Sequence, residues 1–216
     1  MRLREHYECA FAWYLRENRV PYISVDEAKR AILPEGAPLC VDVEGEGSAR
    51  TLKNFDFVAY TRDANYLVDI KGRKVSARKG ANARAEGRLE SWVTQQDIDG
   101  LSVWESLFNA TPLDPKTGVS GSETPPGAFR AAFVFLYWLV APPPDGLFQE
   151  VFDFEGRWYA VRSVELSDYV SRMKVRSPKW GTVDLRTSDF RDLSRPFFGL
   201  APHTPPATVA GRHPPD

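Results

Sequence analysis

Cysteine, histidine and methionine are scarce in this chain, which has two cysteines, three histidines and two methionines in 216 residues. Cys9 and Cys40 are too few for a disulfide framework and lack the spacing of a metal site, and we expect Cys9 to be a small buried side chain of a first helix. An excess of one charge is also missing, because 28 basic residues oppose 29 acidic ones. This balance argues against a protein that coats nucleic acid and leaves local basic patches as the relevant feature.

Long hydrophobic runs are absent as well. The longest, residues 131–141, ends at Pro142 and is far shorter than the ~20 residues that span a bilayer, so it predicts a buried strand. The segment that begins at Met1 has no apolar signal core, and we expect a cytoplasmic protein without a membrane partner. The length fits one domain, which we place at residues 1–200, followed by a disordered proline-rich tail at residues 201–216.

Two short hydrophobic strands carry carboxylates where apolar residues are expected. Asp56 lies between two phenylalanines in the first strand, and Asp69 and Lys71 lie in the second. Successive strand residues point to opposite faces, so Asp69 and Lys71 share a face. The polar residues 61–65 predict a hairpin turn between the strands. Folding about this turn places Asp56 beside Asp69.

Two carboxylates brought together in this way need a cation or a raised pKa. At ~4 Å and an effective dielectric near 20 they repel by roughly 4 kcal/mol. Mg²⁺ relieves this repulsion, since it accepts one or two carboxylates and keeps water and phosphate as its other ligands. Alternatively, Asp69 and Lys71 form a simple ion pair on a solvent-facing strand. Such a pair contributes only ~0–1 kcal/mol to stability. It also does not explain why Asp56 lies between two phenylalanines.

The pattern of Asp56, a hairpin and then Asp69-Ile70-Lys71 resembles the core motif of the PD-(D/E)XK superfamily of nucleases, although Phe55 replaces the proline of the motif. The resemblance implies a restriction-endonuclease-like α/β core, with a central mixed β-sheet flanked by helices. It also implies that Asp56 and Asp69 bind Mg²⁺, with Mn²⁺ as an alternative, and that Lys71 assists hydrolysis.

The segment from His6 to Asn18 places Tyr7, Phe11 and Leu15 at helical spacing, with Glu8 at the flank of the buried face. Many members of the superfamily have a glutamate on the first helix that reaches the metal, so the resemblance makes Glu8 a third metal ligand. The alternative is an ordinary helix-edge residue favoured by the helix dipole. Residues 6–12 are also similar to the opening signature of the bacterial HYExAFE family, which brings no established activity.

The resemblance further suggests a catalytic role for Gln96, because some related nucleases direct a glutamine from the following helix into the site. An exposed helix glutamine is the alternative. Basic residues after the second strand are well suited to follow a phosphate backbone, although a solvated loop is the simpler interpretation. The proposed nucleic-acid-binding residues are Arg73, Lys74, Arg78, Lys79 and Arg84. Near Trp180, a second basic cluster could contact phosphate or an unpaired base, unless Trp180 packs in the core.

The sequence therefore predicts a Mg²⁺-dependent nuclease that hydrolyses phosphodiester bonds, most plausibly in DNA. The competing hypothesis is a catalytically inactive module that keeps the nuclease fold and binds nucleic acid or a protein partner. The oligomeric state stays open, and a homodimer is one alternative because related enzymes often dimerise to cut both strands. Strands and helices alternate along the chain, as an α/β core requires.

Overall fold

A computed structural model of the protein describes residues 5–32, 40–42, 49–62, 64–75, 89–110, 128–140 and 150–197. The helices in these ranges are α1 (Glu5–Glu17), α2 (Val25–Ile32), α3 (Gln95–Asn109), α4 (Leu166–Arg172) and α5 (Thr187–Leu193). The strands are β1 (Tyr22–Ser24), β2 (Cys40–Asp42), β3 (Ala49–Thr51), β4 (Phe57–Tyr60), β5 (Asn65–Val75), β6 (Val93–Thr94), β7 (Phe129–Leu139), β8 (Val151–Phe154), β9 (Arg157–Glu165), β10 (Lys174–Ser177) and β11 (Thr182–Asp184).

Six strands form one mixed sheet in the order β1-β4-β5-β7-β9-β8. All neighbours are antiparallel except β5 and β7, which are parallel along their whole length. A parallel pair needs a long crossover connection, and α3 lies in that connection. Two smaller sheets pair β2 with β3 and order β10-β11-β6. The predicted α/β class, with a mixed sheet and flanking helices, is confirmed.

The two faces of the main sheet carry different helices. The apolar side of α1, with Phe11 and Leu15 fully buried, packs against the face that Tyr66 and Val68 of β5 present. Helices α3, α4 and α5 pack on the opposite face, which includes Leu67. Burying each large apolar side chain contributes about 1.5–3 kcal/mol. Asp69 and Lys71 follow Leu67 at every second position and therefore face α3.

The predicted hairpin between the two carboxylate-bearing strands is confirmed. It joins β4 to β5, although β4 begins only at Phe57 and is shorter than predicted. Glu155-Gly156 between two apolar segments also predicts a hairpin, and one is found there between β8 and β9, with φ angles of 51° and 71° that are those of a type I′ turn. The apolar run that begins at residue 131 is also confirmed as a strand up to Leu139, because it belongs to β7, which lies between β5 and β9 in the middle of the sheet.

Several local predictions are wrong. Apolar residues at helical spacing between Gly87 and Phe108 predict a helix with Gly100 as a candidate break, but the helix begins at Gln95, because residues 93–94 pair with β11 instead. Gly100 lies inside α3, where an added Cβ would come within 2.9 Å of the carbonyl oxygen of Lys53. Ser167 is predicted to cap a short helix up to Met173, but α4 begins after Glu165. Cys9 is exposed, because it lies on the outer side of α1.

Some predictions concern parts of the chain outside the described residues. These are residues 111–127, whose content of proline, glycine and serine predicts a surface loop, the tail at residues 201–216 and the basic residues Arg78, Lys79 and Arg84. No helix in the described ranges combines the length and the apolar character needed to cross a membrane.

Candidate functional site

The hairpin of β4 and β5 brings Asp56 to the middle of β5. Asp56 directly precedes β4, and its amide donates to the carbonyl of Val68 over 2.8 Å. Its side-chain Oδ2 accepts a hydrogen bond from the amide of Ile70 at 2.6 Å. The predicted neighbourhood of Asp56 and the Asp69–Lys71 stretch is therefore present in the structure.

Asp69 is a buried acid, with only 5% of its surface exposed. Its Oδ2 accepts a hydrogen bond from Lys71 Nζ at 2.7 Å. Burial raises the pKa of Asp69 to about 7; Lys71 opposes this rise, and the nearby charges of Asp56 and Asp97 add to it. Asp69 and Lys71 are thus an ion pair, but the alternative that such a pair would face solvent is wrong.

Asp97, in the first turn of α3, is a further carboxylate of this cluster. Lys71 Nζ lies 3.1 Å from Asp97 Oδ1 and therefore bridges Asp69 and Asp97. Lys53 forms a second ion pair with the same Asp97 oxygen. The ammonium groups of Lys53 and Lys71 meet the buried carboxylates of Asp69 and Asp97 here. Asp56 is close enough to add its negative charge to the surroundings of Asp69. We call these five residues, Lys53, Asp56, Asp69, Lys71 and Asp97, the carboxylate–lysine cluster.

The start of α3 fixes the position of Asp97. Thr94 caps the helix: its side chain accepts from the amide of Asp97 at 3.1 Å, and Asp97 Oδ2 accepts from the amide of Thr94 at 2.7 Å. This is a capping box, which satisfies two helix-end amides at once. Burial would raise the pKa of Asp97, but Lys71, Lys53 and Thr94 outweigh burial and lower it to about 2. Asp97 is therefore ionised wherever Asp69 titrates.

Asp97 and Lys53 are not among the site residues predicted from the sequence. The spacing Thr94-x-x-Asp97 before an apolar run was a visible signal for a capping box. That signal identifies a helix start, but it does not show that the cap carboxylate reaches Lys71. For Lys53 the chain offers no comparable local signal, since its contact with Asp97 depends on the close packing of α3 at Gly100.

Glu8 and Gln96 belong to helices that lie on opposite faces of the main sheet. Glu8 is half-buried on α1, and α1 packs on the sheet face opposite to α3. Gln96 is exposed on α3, as the alternative interpretation of this residue held. The roles of both residues stay predictions. His6, which precedes Glu8 closely, is buried and hydrogen-bonded through Nδ1 to the hydroxyl of Tyr159 at 2.9 Å.

The two described members of the proposed nucleic-acid-binding set differ in exposure. Arg73 is partly buried: it donates to the carbonyl of Trp92 at 2.6 Å, and its guanidinium lies 4.1 Å from the centroid of the Trp92 ring. These contacts connect β5 to the segment before α3. Lys74 is exposed, with its ammonium 4.4 Å from the centroid of the Trp138 ring. Only Lys74 of this pair presents its charge mainly to solvent.

The alternative that Trp180 packs in the core is wrong, because 72% of its surface is exposed. Trp180 lies between β10 and β11, and Gly181 next to it accepts a hydrogen bond from the amide of Gln95 at 2.7 Å. The tip of this hairpin is therefore attached to the first residue of α3.

The donors of the cluster suit a hard divalent cation, because Asp56, Asp69 and Asp97 supply only oxygen. The raised pKa of Asp69 reflects, in part, negative charge from the other two carboxylates, and a divalent cation would relieve it. Among the residues that the structure describes, however, no three His, Cys, Asp or Glu side chains are arranged to hold an ion. The predicted ligand set of Asp56, Asp69 and Glu8 is thus not assembled in this structure.

We compared the chain with models of known protein families, with curated proteins and with solved structures, and none of these comparisons found a match.

Proposed function

We propose that this protein is a metal-dependent nuclease that hydrolyses phosphodiester bonds, with DNA as its substrate, on a restriction-endonuclease-like core. The observation that carries the proposal is the burial of Asp69 beside Asp56 and Asp97, with Lys71 between Asp69 and Asp97. A carboxylate with a strongly raised pKa and a specific cationic partner is typical of functional sites. A cytoplasmic location and a homodimer belong to the same proposal.

Asp56 and Asp69 would hold Mg²⁺, or Mn²⁺ in its place. When bound, the metal supplies an activated water and polarises the phosphoryl oxygen. Lys71 then has a direct role, because its ammonium can leave Asp69 and stabilise the negative charge that develops on the phosphate. Asp97 and Lys53 position Lys71 from the side of α3.

The phosphate backbone would extend from the cluster along basic residues of the chain. Lys74 is exposed three residues after Lys71 on β5, on the opposite face of the sheet, with its ammonium beside the ring of Trp138. Arg78, Lys79 and Arg84 follow it in the sequence and are part of the same proposal, as is Gln96 at the start of α3. Contacts of this kind hold a nucleic acid without reading its sequence.

The test is a cleavage assay on labelled single-stranded, duplex, flap and four-way-junction DNA and on RNA, with Mg²⁺ or Mn²⁺. Asp69→Asn keeps the shape of the side chain and removes its charge, and Lys71→Met keeps the length of the side chain and removes its ammonium. Both variants should lose cleavage, whereas Asp168→Asn, at an exposed position on α4, should cleave as wild type does. Unchanged cleavage by purified Asp69→Asn would overturn the proposal.

A second candidate is a catalytically inactive module that binds nucleic acid or a protein partner. One observation favours it: Lys71 and Lys53 already neutralise the carboxylates of the cluster, so the folded protein does not need a metal to hold them together. Titration calorimetry with Mg²⁺ and Mn²⁺ separates the two candidates. Heat of binding that disappears in Asp69→Asn supports the nuclease, and no heat from wild type supports the module.

A further inference from the structure

The hairpin formed by β10 and β11 carries an unusual surface. Trp180 at its tip is 72% exposed, the largest exposed fraction of any large hydrophobic side chain that the structure describes. Val175 on β10 is also mostly exposed. Leaving an indole in water forgoes the free energy of burying one of the largest apolar side chains. Such a side chain on a turn suits contact with a flat apolar ligand.

The charge around Trp180 is positive. Residues 174–181 include Lys174, Arg176 and Lys179 and no acidic residue. The ammonium of Lys179 lies 5.5 Å from the centroid of the Trp180 ring. Arg176 pairs with Glu90 at 3.8 Å and lies 5.3 Å from the ring centroid of Trp92, but 40% of its side chain is exposed, so the guanidinium remains accessible to an anion. An exposed flat ring with a lysine beside it, on a hairpin that carries two further cations, matches a nucleotide, which combines an aromatic base with a phosphate.

The hairpin is also attached to the carboxylate–lysine cluster. Thr182 of β11 pairs with Thr94, the cap residue of α3, and the carbonyl of Gly181 accepts from the amide of Gln95. Asp97, two residues after Gln95, contacts Lys71. The hairpin that carries the exposed indole and the buried acids therefore contact the same helix start.

We propose that the tip of this hairpin binds an unpaired nucleotide of a single-stranded nucleic acid, with Trp180 stacked on the base and with Lys179 and Arg176 at the flanking phosphates. Bases inside a duplex already stack on their neighbours and cannot accept the indole without unpairing. The hairpin thus selects single strands or unpaired ends. The inference rests on the proposed function only in treating the bound strand as the substrate that is cut.

Binding without cleavage tests this inference. The probe is a fluorescent oligonucleotide of mixed sequence, single-stranded or as a blunt duplex, titrated in EDTA and followed by anisotropy. Wild type should prefer the single strand, and Trp180→Ala should weaken its binding by about 5- to 100-fold. Trp180→Phe should keep most of the affinity, because phenylalanine also stacks. Trp158→Ala removes a partly exposed tryptophan of β9 and should leave binding unchanged.

Equal affinity of wild type and Trp180→Ala for the single strand would overturn the inference, and so would a wild type that binds no oligonucleotide. Since Trp180 is mostly exposed, its loss leaves the core intact, which circular dichroism can verify. The assay also separates this inference from the proposed function. Loss of affinity in Trp180→Ala supports the hairpin site whether or not the protein cleaves, and active Asp69→Asn contradicts only the nuclease.

Discussion

Lys71 on strand β5 lies 3.1 Å from Asp97 in the first turn of helix α3, so one ion pair joins the middle of the sheet to the start of the helix that follows it. Lys71 also contacts Asp69, two residues earlier on its own strand. A lysine that is shared between two carboxylates neutralises each of them only in part. The two acids are similarly hidden from solvent but respond differently, because Asp97 has a second lysine and two contacts with Thr94, whereas at Asp69 burial outweighs the single lysine.

Replacing Asp97 by asparagine should lower the pKa of Asp69. The substitution removes a negative charge that disfavours ionisation of Asp69, and it leaves Lys71 to Asp69 alone. An asparagine at this position can still accept from the amide of Thr94, so the helix start should persist. Carbon-13 NMR of labelled aspartates measures the titration. Asp99→Asn on the same helix is the control, and an Asp69 titration that Asp97→Asn does not change would contradict the expectation.

The stability of the metal-free protein should change with pH because of Asp69. Folding raises the pKa of Asp69 from 3.8 to about 7, so the folded state holds this proton more tightly than the unfolded state does. The resulting stabilisation is complete below the unfolded pKa and is lost as the pH rises through about 7. Relative to Asp69→Asn, wild type should lose about 2 kcal/mol of unfolding free energy between about pH 5 and pH 7. Urea denaturation in EDTA measures the difference, and a constant difference across this range would refute the prediction.

Mg²⁺ or Mn²⁺ should stabilise wild type against heat. A ligand that binds only the folded state at ten times its dissociation constant contributes about 1.4 kcal/mol. The rise in melting temperature should be larger at pH 8 than at pH 6, because the metal binds ionised Asp69. Asp69→Asn should show no rise, and Asp168→Asn should behave as wild type does. A rise in Asp69→Asn equal to that of wild type would place the metal elsewhere.

Gly72→Ala should destabilise the fold, because an added Cβ would lie 2.2 Å from the ring of Tyr7. Overpacking of this kind costs typically about 1–3 kcal/mol. The double variant Gly72→Ala with Tyr7→Ala should lose less stability than the sum of the two single variants, since removal of the ring makes room for the methyl group. Chemical denaturation of the four proteins measures the coupling. Additive effects would show that α1 does not lie on β5 at this point.

Local sequence patterns predicted the parts of the molecule that depend on neighbours in the chain. Alternation along β5 and the turn after Tyr60 place Asp56, Asp69 and Lys71 together, and helical spacing of Phe11 and Leu15 identifies α1. These placements are found in the structure, while the catalytic roles of the residues stay predictions. The exposure of Trp180 was not predictable, because neither hydrophobicity nor local spacing says whether a hairpin tip meets the core.

The contact of Asp97 with Lys71 could not be predicted from the sequence for a different reason. Its local spacing with Thr94 shows a helix cap, but its contact with Lys71 arises only after α3 has crossed over the sheet between β5 and β7. The register of a crossover helix against a sheet depends on the whole core. The close approach of Gly100 to Lys53 is one determinant of this packing, and it does not follow from either residue alone.

The parallel pairing of β5 with β7 implies an order of assembly for the carboxylate–lysine cluster. The β4–β5 hairpin has short-range contacts, which generally form faster than long-range ones, and it already contains Asp56, Asp69 and Lys71. We therefore expect Asp97 to join only when the long crossover closes and places α3 on the hairpin. On this order Asp69 would be hydrated early in folding and would take up its proton late, so we expect the refolding rate of the metal-free protein to vary with pH near neutrality.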